Sequence, residues 1–219
     1  MNEEFWLKKW HQNEIGFHSP HPHNGLVQYF SAFGPPKGSR IFVPLCGKTL
    51  DIHWFIKNGY TVVGVELSRM AVEHLFVELG IQPDVLALSA EVTVFRGRNI
   101  EIFVANIFAL TASMLGPVDM IYDRAALVAL PDDIRICYAR HIVEITRCAN
   151  QFLICVEYDQ VRLSGPPFAI MAQDIERYYA QFYTITSIEQ QPVPRGIKGK
   201  EPGYEHIWLL QALHAERSA

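Results

Sequence analysis

Apolar and polar positions alternate in blocks along most of the chain. From residue 40 onward, short runs rich in β-branched residues predict buried strands. These strands are predicted at Arg40–Pro44, Thr61–Val65, Ile100–Val104, Val118–Tyr122 and Gln151–Val156. Between them, helical spacing of apolar residues predicts helices at Leu50–Asn58, from the capping residue Ser68 to about Leu79, and from Asp132 to about Arg147. This alternation favours an α/β fold, with a parallel sheet covered on both faces.

The two ends of the chain follow other patterns. Glu3–His11 predicts an amphipathic helix whose aromatic side chains lie near one another. Tyr183–Gln191 and Glu205–Leu213 predict a terminal hairpin around a turn-rich, basic linker. We therefore expect a single domain over residues 1–219, in which a helical extension at 1–35 precedes a core at 36–219.

Composition and charge exclude several classes of protein. The 219 residues are 49% hydrophobic and 19% charged, which is ordinary for a globular protein. A net charge of −4 gives no electrostatic reason to bind nucleic acid or an anionic membrane. No apolar run reaches the roughly 18–20 residues of a membrane span, and the charged start lacks the features of a signal peptide. We expect a cytoplasmic protein.

The cysteines and the clustered histidines do not indicate a metal site. The four cysteines are widely spaced and are expected to be free thiols. Only Cys46, in a glycine-containing turn, is a candidate nucleophile, and we expect that it is not catalytic. The histidines of the segment His18–His23 are separated by prolines and cannot share one helix face, so we expect a polar loop there and no metal.

The region around the first two predicted strands has the pattern of a nucleotide site. A strand, a turn that contains Gly47 and a helix are followed by a second strand that ends in Glu66. Glu66 comes 19 residues after Gly47, close to the spacing of about 20 at which a carboxylate binds ribose hydroxyls. The turn lacks GxGxxG, and Phe42 stands where a P-loop needs glycine. A nucleoside without phosphates therefore fits best, and S-adenosylmethionine has both the ribose diol and a cationic sulfonium.

Two further clusters follow later strands. Asp123 and Arg124 end the fourth strand, where carboxyl ends of parallel strands face a ligand crevice. Ser164–Phe168 contains Gly-Pro-Pro, which fixes a loop after the fifth strand.

Together these motifs resemble the thiopurine S-methyltransferase family. The matching segments run from about residue 5 to residue 210 and comprise Trp6, Trp10 and Gly16–His18; Val43–Lys48; Val62–Glu66; Asp123–Pro131; Tyr158–Asp159; and Gly165–Phe168. The combination of Pro-Leu-Cys-Gly-Lys, Asp-Arg-Ala-Ala-Leu and Gly-Pro-Pro-Phe is highly specific, whereas each motif alone is weak.

The resemblance implies a class I, Rossmann-like methyltransferase fold, whose seven-stranded, mostly parallel sheet has an antiparallel last strand. It also implies an N-terminal helical lid. The residues that it assigns to S-adenosylmethionine are Trp10, Leu45, Glu66 and Arg124, together with Asn106 and Ile107 near the adenine. Many bacterial relatives have an acidic residue at the position of Asn106. Residues 83–97 match poorly and receive no role.

The implied reaction is methyl transfer to small aromatic or heterocyclic thiols, such as thiopurines, or to selenium or tellurium species. Phe17 is expected near the acceptor, Phe168 is expected to line the same pocket, and Arg124 would position the anionic acceptor without a general base. Two alternatives stay open at this point, a nicotinamide-dependent oxidoreductase and a nucleoside-binding protein without catalysis. We expect a monomer that acts on small molecules.

Overall fold

The computed structural model describes residues 3–213, which form two compact units divided after Met120. The elements of the first unit are α1 (Glu3–His11), α2 (Asn24–Phe33), β1 (Arg40–Pro44), α3 (Leu50–Lys57), β2 (Thr61–Glu66), α4 (Arg69–Leu79), β3 (Asp84–Ala87), β4 (Thr93–Gly97), β5 (Ile100–Val104) and α5 (Ala112–Leu115). Those of the second are β6 (Met120–Arg124, of which all but the first residue belong to this unit), α6 (Asp132–Ile145), β7 (Asn150–Tyr158), α7 (Ala172–Tyr179), β8 (Tyr183–Pro192) and β9 (Gly203–Ala212).

The sheet of the first unit has the strand order β3-β4-β5-β2-β1. The central strand β2 is parallel to both β1 and β5, and five of its six residues are buried. In this register Pro44 pairs with Val65 and Glu66 pairs with Val104. Three parallel strands therefore end at one edge of the sheet, and the loops that follow them start side by side.

Side-chain caps start the helices that follow β1 and β2. The hydroxyls of Thr49 and Ser68 accept hydrogen bonds from the backbone N–H groups of Asp51 and Ala71, both at 3.3 Å. Gly80, in the left-handed conformation, ends α4. These local signals confirm the predicted bounds of α3 and α4 to within one residue.

The second unit has the strand order β6-β7-β9-β8. Strand β9 is antiparallel to both β7 and β8, which confirms the predicted terminal hairpin. Helix α6 buries Tyr138, Ala139 and Ile142. Across residues 3–213, no helix combines the length and the apolar character that a membrane crossing requires.

The α/β fold with a largely parallel sheet is confirmed, but the expected seven strands are corrected to nine within residues 3–213. The two additional strands, β3 and β4, form an antiparallel hairpin beside β5, in the region that received no role. All four residues of β3 are exposed, so the strand lacks the alternation of buried and exposed positions by which strands are recognised.

The fourth predicted strand also begins later than expected, at Met120 rather than Val118. Asp119 explains the shift, because its backbone N–H donates to the carbonyl of Arg40 at 2.9 Å and its carboxylate accepts from the N–H of Arg40 at 2.7 Å. These hydrogen bonds hold residues 118 and 119 in the loop that leads to β6, so the strand begins only at Met120.

Candidate active site

The turn after β1 brings together the residues predicted to bind a nucleoside. Leu45 and Gly47 have left-handed backbone conformations, with φ angles of 47° and 51°. Such a conformation costs a residue with a Cβ about 1–2 kcal/mol, and strain of this kind is concentrated at functional sites. A Cβ on Gly47 would lie 3.0 Å from the indole of Trp10. The turn therefore requires glycine at residue 47 for its backbone angle and for the approach of the indole.

Glu66 ends β2 directly beside this turn and is 7% exposed. One carboxylate oxygen accepts a hydrogen bond from the backbone N–H of Gly47 at 2.8 Å, and the other accepts from Ser68 at 2.7 Å. Burial raises the pKa of Glu66, and these backbone hydrogen bonds oppose the increase. The backbone N–H of Leu67 opposes the increase as well. A carboxylate has about four acceptor positions, so the fixed group is still able to accept a hydrogen bond from a ligand hydroxyl.

The N-terminal segment places aromatic rings on the same turn. Trp10 is 6% exposed and lies against Gly47, while Phe17 is 43% exposed. The ring of Phe17 packs edge-on against Trp6 and Trp10, with centroid distances of 5.5 Å in both cases. The structure thus joins Trp10 and Phe17 in one aromatic cluster, and the contact of Phe17 with the acceptor stays a prediction.

A cavity of about 560 Å³ opens beside the carboxyl ends of β2 and β5. Its lining comprises Glu3, Leu67, Glu91, Val104, Ala105, Asn106, Phe108 and Ala109. The amide of Asn106 donates to the Glu3 carboxylate at 2.5 Å and its oxygen accepts from the N–H of Phe108 at 2.9 Å. Asn106 therefore connects α1 to the loop after β5 while it lines the cavity.

Sequence reasoning placed Ile107 beside Asn106 but missed Leu67 and Phe108. Ile107 is 6% exposed and lies in the interior, whereas Phe108 is 42% exposed at the cavity. Leu67 directly follows Glu66, the carboxylate that ends β2, and this position in the sequence could have identified it as a residue of the site. Leu67 and Phe108 give the cavity an apolar surface on which a flat base can pack.

Asp123, in the second unit, does not face a crevice, which corrects the expectation from its strand-end position. It is fully buried; its carboxylate accepts from the hydroxyl of Tyr138 at 2.7 Å and from the N–H groups of Ala126 and Leu127, both at 3.2 Å. Burial raises the pKa of Asp123 from 3.8 to about 6, against these hydrogen bonds. Its role is to fix the loop after β6.

The raised pKa of Asp123 predicts a pH-dependent cost to stability. The folded state holds this proton to a higher pH than the unfolded chain does. The protonated carboxyl therefore contributes fully to the free energy of unfolding below about pH 4, and this contribution is lost as the pH rises through about 6. The loss amounts to about 3 kcal/mol. We expect Asp123→Asn, which keeps an acceptor for the two N–H groups and donates to Tyr138, to remove this decline.

Urea unfolding of Asp123→Asn and wild type between pH 4 and pH 8 measures the difference. All other titrating groups are common to the two proteins, so the difference isolates Asp123. The exposed residue Asp133, in the first turn of α6, supplies the control Asp133→Asn, expected to follow wild type within about 0.5 kcal/mol. Parallel curves for Asp123→Asn and wild type would contradict the prediction.

Arg124 combines partial burial with a guanidinium that has no partner among the described residues. It is half-buried, and its guanidinium makes no hydrogen bond or ion pair with any residue in 3–213. The next residue, Ala125, has a left-handed backbone with a φ of 71°. The second unit therefore presents one sheltered guanidinium with five unused donors on a strained turn.

Phe168 is held by contacts within the second unit. Its backbone N–H donates to the carbonyl of Val128 at 2.6 Å, and the guanidinium of Arg135 lies 5.4 Å from its ring centroid. A Cβ on Gly165 would come within 2.4 Å of the ring, so glycine allows the ring to pack there. The loop is thus rigid as expected, and contact of Phe168 with the acceptor stays a prediction.

Cys46 and the histidine segment have structural roles. Cys46 is buried, and burial, followed by the charge of Glu66, raises the pKa of its thiol well above the usual value, which disfavours the nucleophilic thiolate. His23 caps α2, because its Nδ1 accepts from the N–H of Gly25 at 3.1 Å. The predicted polar loop before α2 is confirmed.

Comparison with known proteins bears on the whole chain. The model of the family described as Thiopurine S-methyltransferase matches residues 1–210. A thiopurine S-methyltransferase of Xanthobacter autotrophicus is 47% identical over 212 residues, which cover 96% of this chain and 99% of the relative. Another, of Acinetobacter baylyi, is 44% identical over 216 residues, which cover 97% and 99%.

Two solved structures illustrate the similarity in fold. The 1,6-didemethyltoxoflavin-N1-methyltransferase of Burkholderia thailandensis, with S-adenosylhomocysteine bound, has a TM-score of 0.64 at 14% identity, over 95% of this chain and 87% of that one. TehB of Haemophilus influenzae has a TM-score of 0.61 at 13% identity, over 96% and 67%. At these identities the likeness shows the fold alone.

Proposed function

Since the chain belongs to the thiopurine S-methyltransferase family, we propose that it methylates the sulfur of small aromatic and heterocyclic thiols, thiopurines among them, and selenium or tellurium species. S-adenosylmethionine is the cofactor of the family and supplies a methyl group already activated on a sulfonium. The observation that supports this most directly is the Glu66 carboxylate, fixed by Gly47 and Ser68 at the end of β2.

The residues of the first unit fit this cofactor. Glu66 would accept hydrogen bonds from the ribose hydroxyls at the acceptor positions that the backbone N–H groups leave unused. Leu67 and Phe108 would pack on the adenine, and the carbonyl oxygen of the Asn106 side chain lies at the same cavity. Trp10 and the strained Leu45 would border the rest of the molecule. Ile107 is buried, so it would support the cofactor-binding residues of this loop from the interior.

Arg124 and the two phenylalanines are proposed to serve the acceptor. Arg124 would hold the anionic sulfur with its unpaired guanidinium, and Phe17 and Phe168 would offer apolar surface to a flat ring. Aromatic thiols ionise near neutral pH, so the reaction needs alignment of the thiolate rather than a general base. Hydrated alcohols are disfavoured, since their hydroxyl groups would be left poorly paired.

Calorimetry and methyl-transfer assays test this function. We expect binding of S-adenosylmethionine and S-adenosylhomocysteine but not NADH, and transfer of labelled methyl to an aromatic thiol but not to the matching phenol. Binding of NADH alone would favour the oxidoreductase, which none of the comparisons supports. Cofactor binding without turnover of any thiol, selenol or tellurium compound would favour the nucleoside-binding protein.

Arg124→Met tests the proposed role of the guanidinium. We expect kcat/KM for an aromatic thiolate to fall about tenfold, the lower end for a charge-assisted hydrogen bond because Arg124 is only half-buried. The matched control is Arg140→Met, which removes an exposed arginine of α6. Equal activity of the two variants would remove Arg124 from the acceptor site.

The setting of the reaction is also proposed. All four cysteines are free thiols, which supports a reducing compartment and hence the cytoplasm. We also propose that the protein acts as a monomer. The net charge of −4 supports a small-molecule substrate rather than nucleic acid.

A further inference from the structure

Strands β7, β8 and β9 bring Glu157, Ser187 and His206 into one hydrogen-bonded chain. The Oγ of Ser187 lies 2.7 Å from Nε2 of His206. On the other side of the imidazole, Nδ1 of His206 lies 2.6 Å from a carboxylate oxygen of Glu157. These three residues have no part in the methyl transfer proposed above.

The partners of His206 define where its proton resides. A carboxylate only accepts hydrogen bonds, so Nδ1 of the imidazole carries the proton and donates a hydrogen bond to Glu157. In the neutral ring Nε2 then has a free lone pair, and it accepts a hydrogen bond from the hydroxyl of Ser187. The second oxygen of Glu157 accepts from the side-chain amide of Gln190 at 2.8 Å, and the imidazole stacks on Trp208 with centroids 3.7 Å apart. Carboxylate and ring are therefore both held in place.

The burial of the three side chains follows the order of the hydrogen bonds. Glu157 is 8% exposed and His206 is 6% exposed, whereas Ser187 is exposed on the edge strand β8. The buried base and its orienting carboxylate are thus shielded from water, while the hydroxyl is open to reagents. The hydrogen bonds therefore run from a buried carboxylate to a serine at the surface of the protein.

A bulge in β8 sets the direction of the serine. The register between β8 and β9 shifts after Ser187, which pairs with Trp208, whereas Glu189 pairs with Ile207. Ile188 is the extra residue, without a partner of its own in the ladder. Bulges on edge strands turn side chains away from their regular direction. The N–H group of the residue after the serine is also the one that many serine hydrolases use to stabilise the oxyanion.

We propose that Ser187, His206 and Glu157 form a second reactive centre, at which Ser187 is the nucleophile toward activated acyl groups. Ser187 Oγ forms a bond to the carbonyl carbon of an ester as its proton passes to Nε2 of His206. The imidazolium is stabilised by Glu157 and returns this proton to the departing alkoxide, which leaves as the alcohol. His206 then takes a proton from water, whose oxygen attacks the acyl carbon. The bond between this carbon and Ser187 Oγ breaks, the imidazolium returns the proton to Ser187 Oγ, and the carboxylic acid leaves.

Labelling of the full-length protein tests the proposal. The probes are a fluorophosphonate and p-nitrophenyl acetate, followed by intact mass and peptide mapping. We expect one adduct, on Ser187, that is absent from Ser187→Ala and formed at the wild-type rate by Ser31→Ala, which removes an exposed serine of α2. Ser187→Ala is expected to retain full methyl-transfer activity, which separates this centre from the proposed function.

His206→Gln and Glu157→Gln separate a relay from an accidental contact. Both keep a side chain of similar length, and we expect each to label at least about 100-fold more slowly although Ser187 is present. Melting temperature and S-adenosylmethionine binding show whether each variant is folded. If His206→Gln does not fold, the labelling rate of Glu157→Gln decides the question. Labelling of Ser187 no faster than of Ser31, or labelling unaffected in a folded variant, would overturn the proposal.

Discussion

Replacement of Glu66 by glutamine is expected to weaken the binding of S-adenosylmethionine about 100-fold. Loss of a charge-assisted hydrogen bond costs about 1.5–3 kcal/mol, and 100-fold corresponds to about 2.7 kcal/mol. The amide also has only one acceptor oxygen, so its NH2 group must face one of two N–H donors, Gly47 or Ser68. Calorimetric titration of the folded variant measures the loss, and the melting temperature measures the effect on the turn.

Glu78→Gln is the matched control for this experiment. Glu78 forms an ion pair with Lys48, the residue after Gly47, at 2.6 Å, but its side chain is 36% exposed. Exposed pairs contribute about 0–1 kcal/mol, so the same chemical change should alter the cofactor affinity by no more than about threefold. If Glu66→Gln folded and bound the cofactor as wild type does, the assignment of Glu66 to the ribose would be wrong.

The sequence predicts this part of the molecule well because the signals are local. A buried apolar run gives β1, helical spacing gives α3, and the cap Ser68 and Gly80 bound α4. The contact between Glu66 and Gly47 follows from the strand–turn–helix–strand order, because parallel strands end at one edge. The spacing of Gly47 and Glu66 along the chain therefore predicts that the two residues lie close together in the structure.

Other features depend on partners that the sequence does not reveal. Strand β3 is fully exposed, so its pairing with β4 leaves no apolar pattern. Asp123 follows a strand in the way that ligand-binding residues do, yet Tyr138 on α6 provides a buried partner for it. A carboxylate at a strand end has the same sequence signal whether it meets a ligand or a tyrosine.

The link between Glu3 and Asn106 is the clearest case, because the two residues are 103 positions apart. The resemblance to the family drew attention to Asn106 only as a neighbour of adenine. In the structure its amide also binds the carboxylate of α1, a contact that an acidic residue at this position would turn into repulsion. The residue thus joins the N-terminal helix to the cavity.

Removal of residues 1–18 is expected to leave a folded core that has lost thiol methylation and at least about 100-fold in cofactor affinity. A helix as short as α1 is marginal alone in water, so it depends on contacts such as Trp10 on Gly47 and Glu3 with Asn106. If α1 closes over the bound cofactor, binding energy orders this segment. Its loss would then open the site to water and remove Trp10 and Phe17 together.

Hydrogen exchange and calorimetry measure these consequences. We expect the amides of residues 3–18 to exchange quickly in the free protein and to gain protection when S-adenosylmethionine binds. Trp10→Ala should reproduce most of the loss of affinity, whereas His11→Ala, an exposed neighbour on the same helix, should bind as wild type. Equal protection with and without cofactor would refute a closing segment. Full activity of the truncated protein would show that the acceptor binds elsewhere, because neither aromatic ring of this segment would then be needed for the reaction.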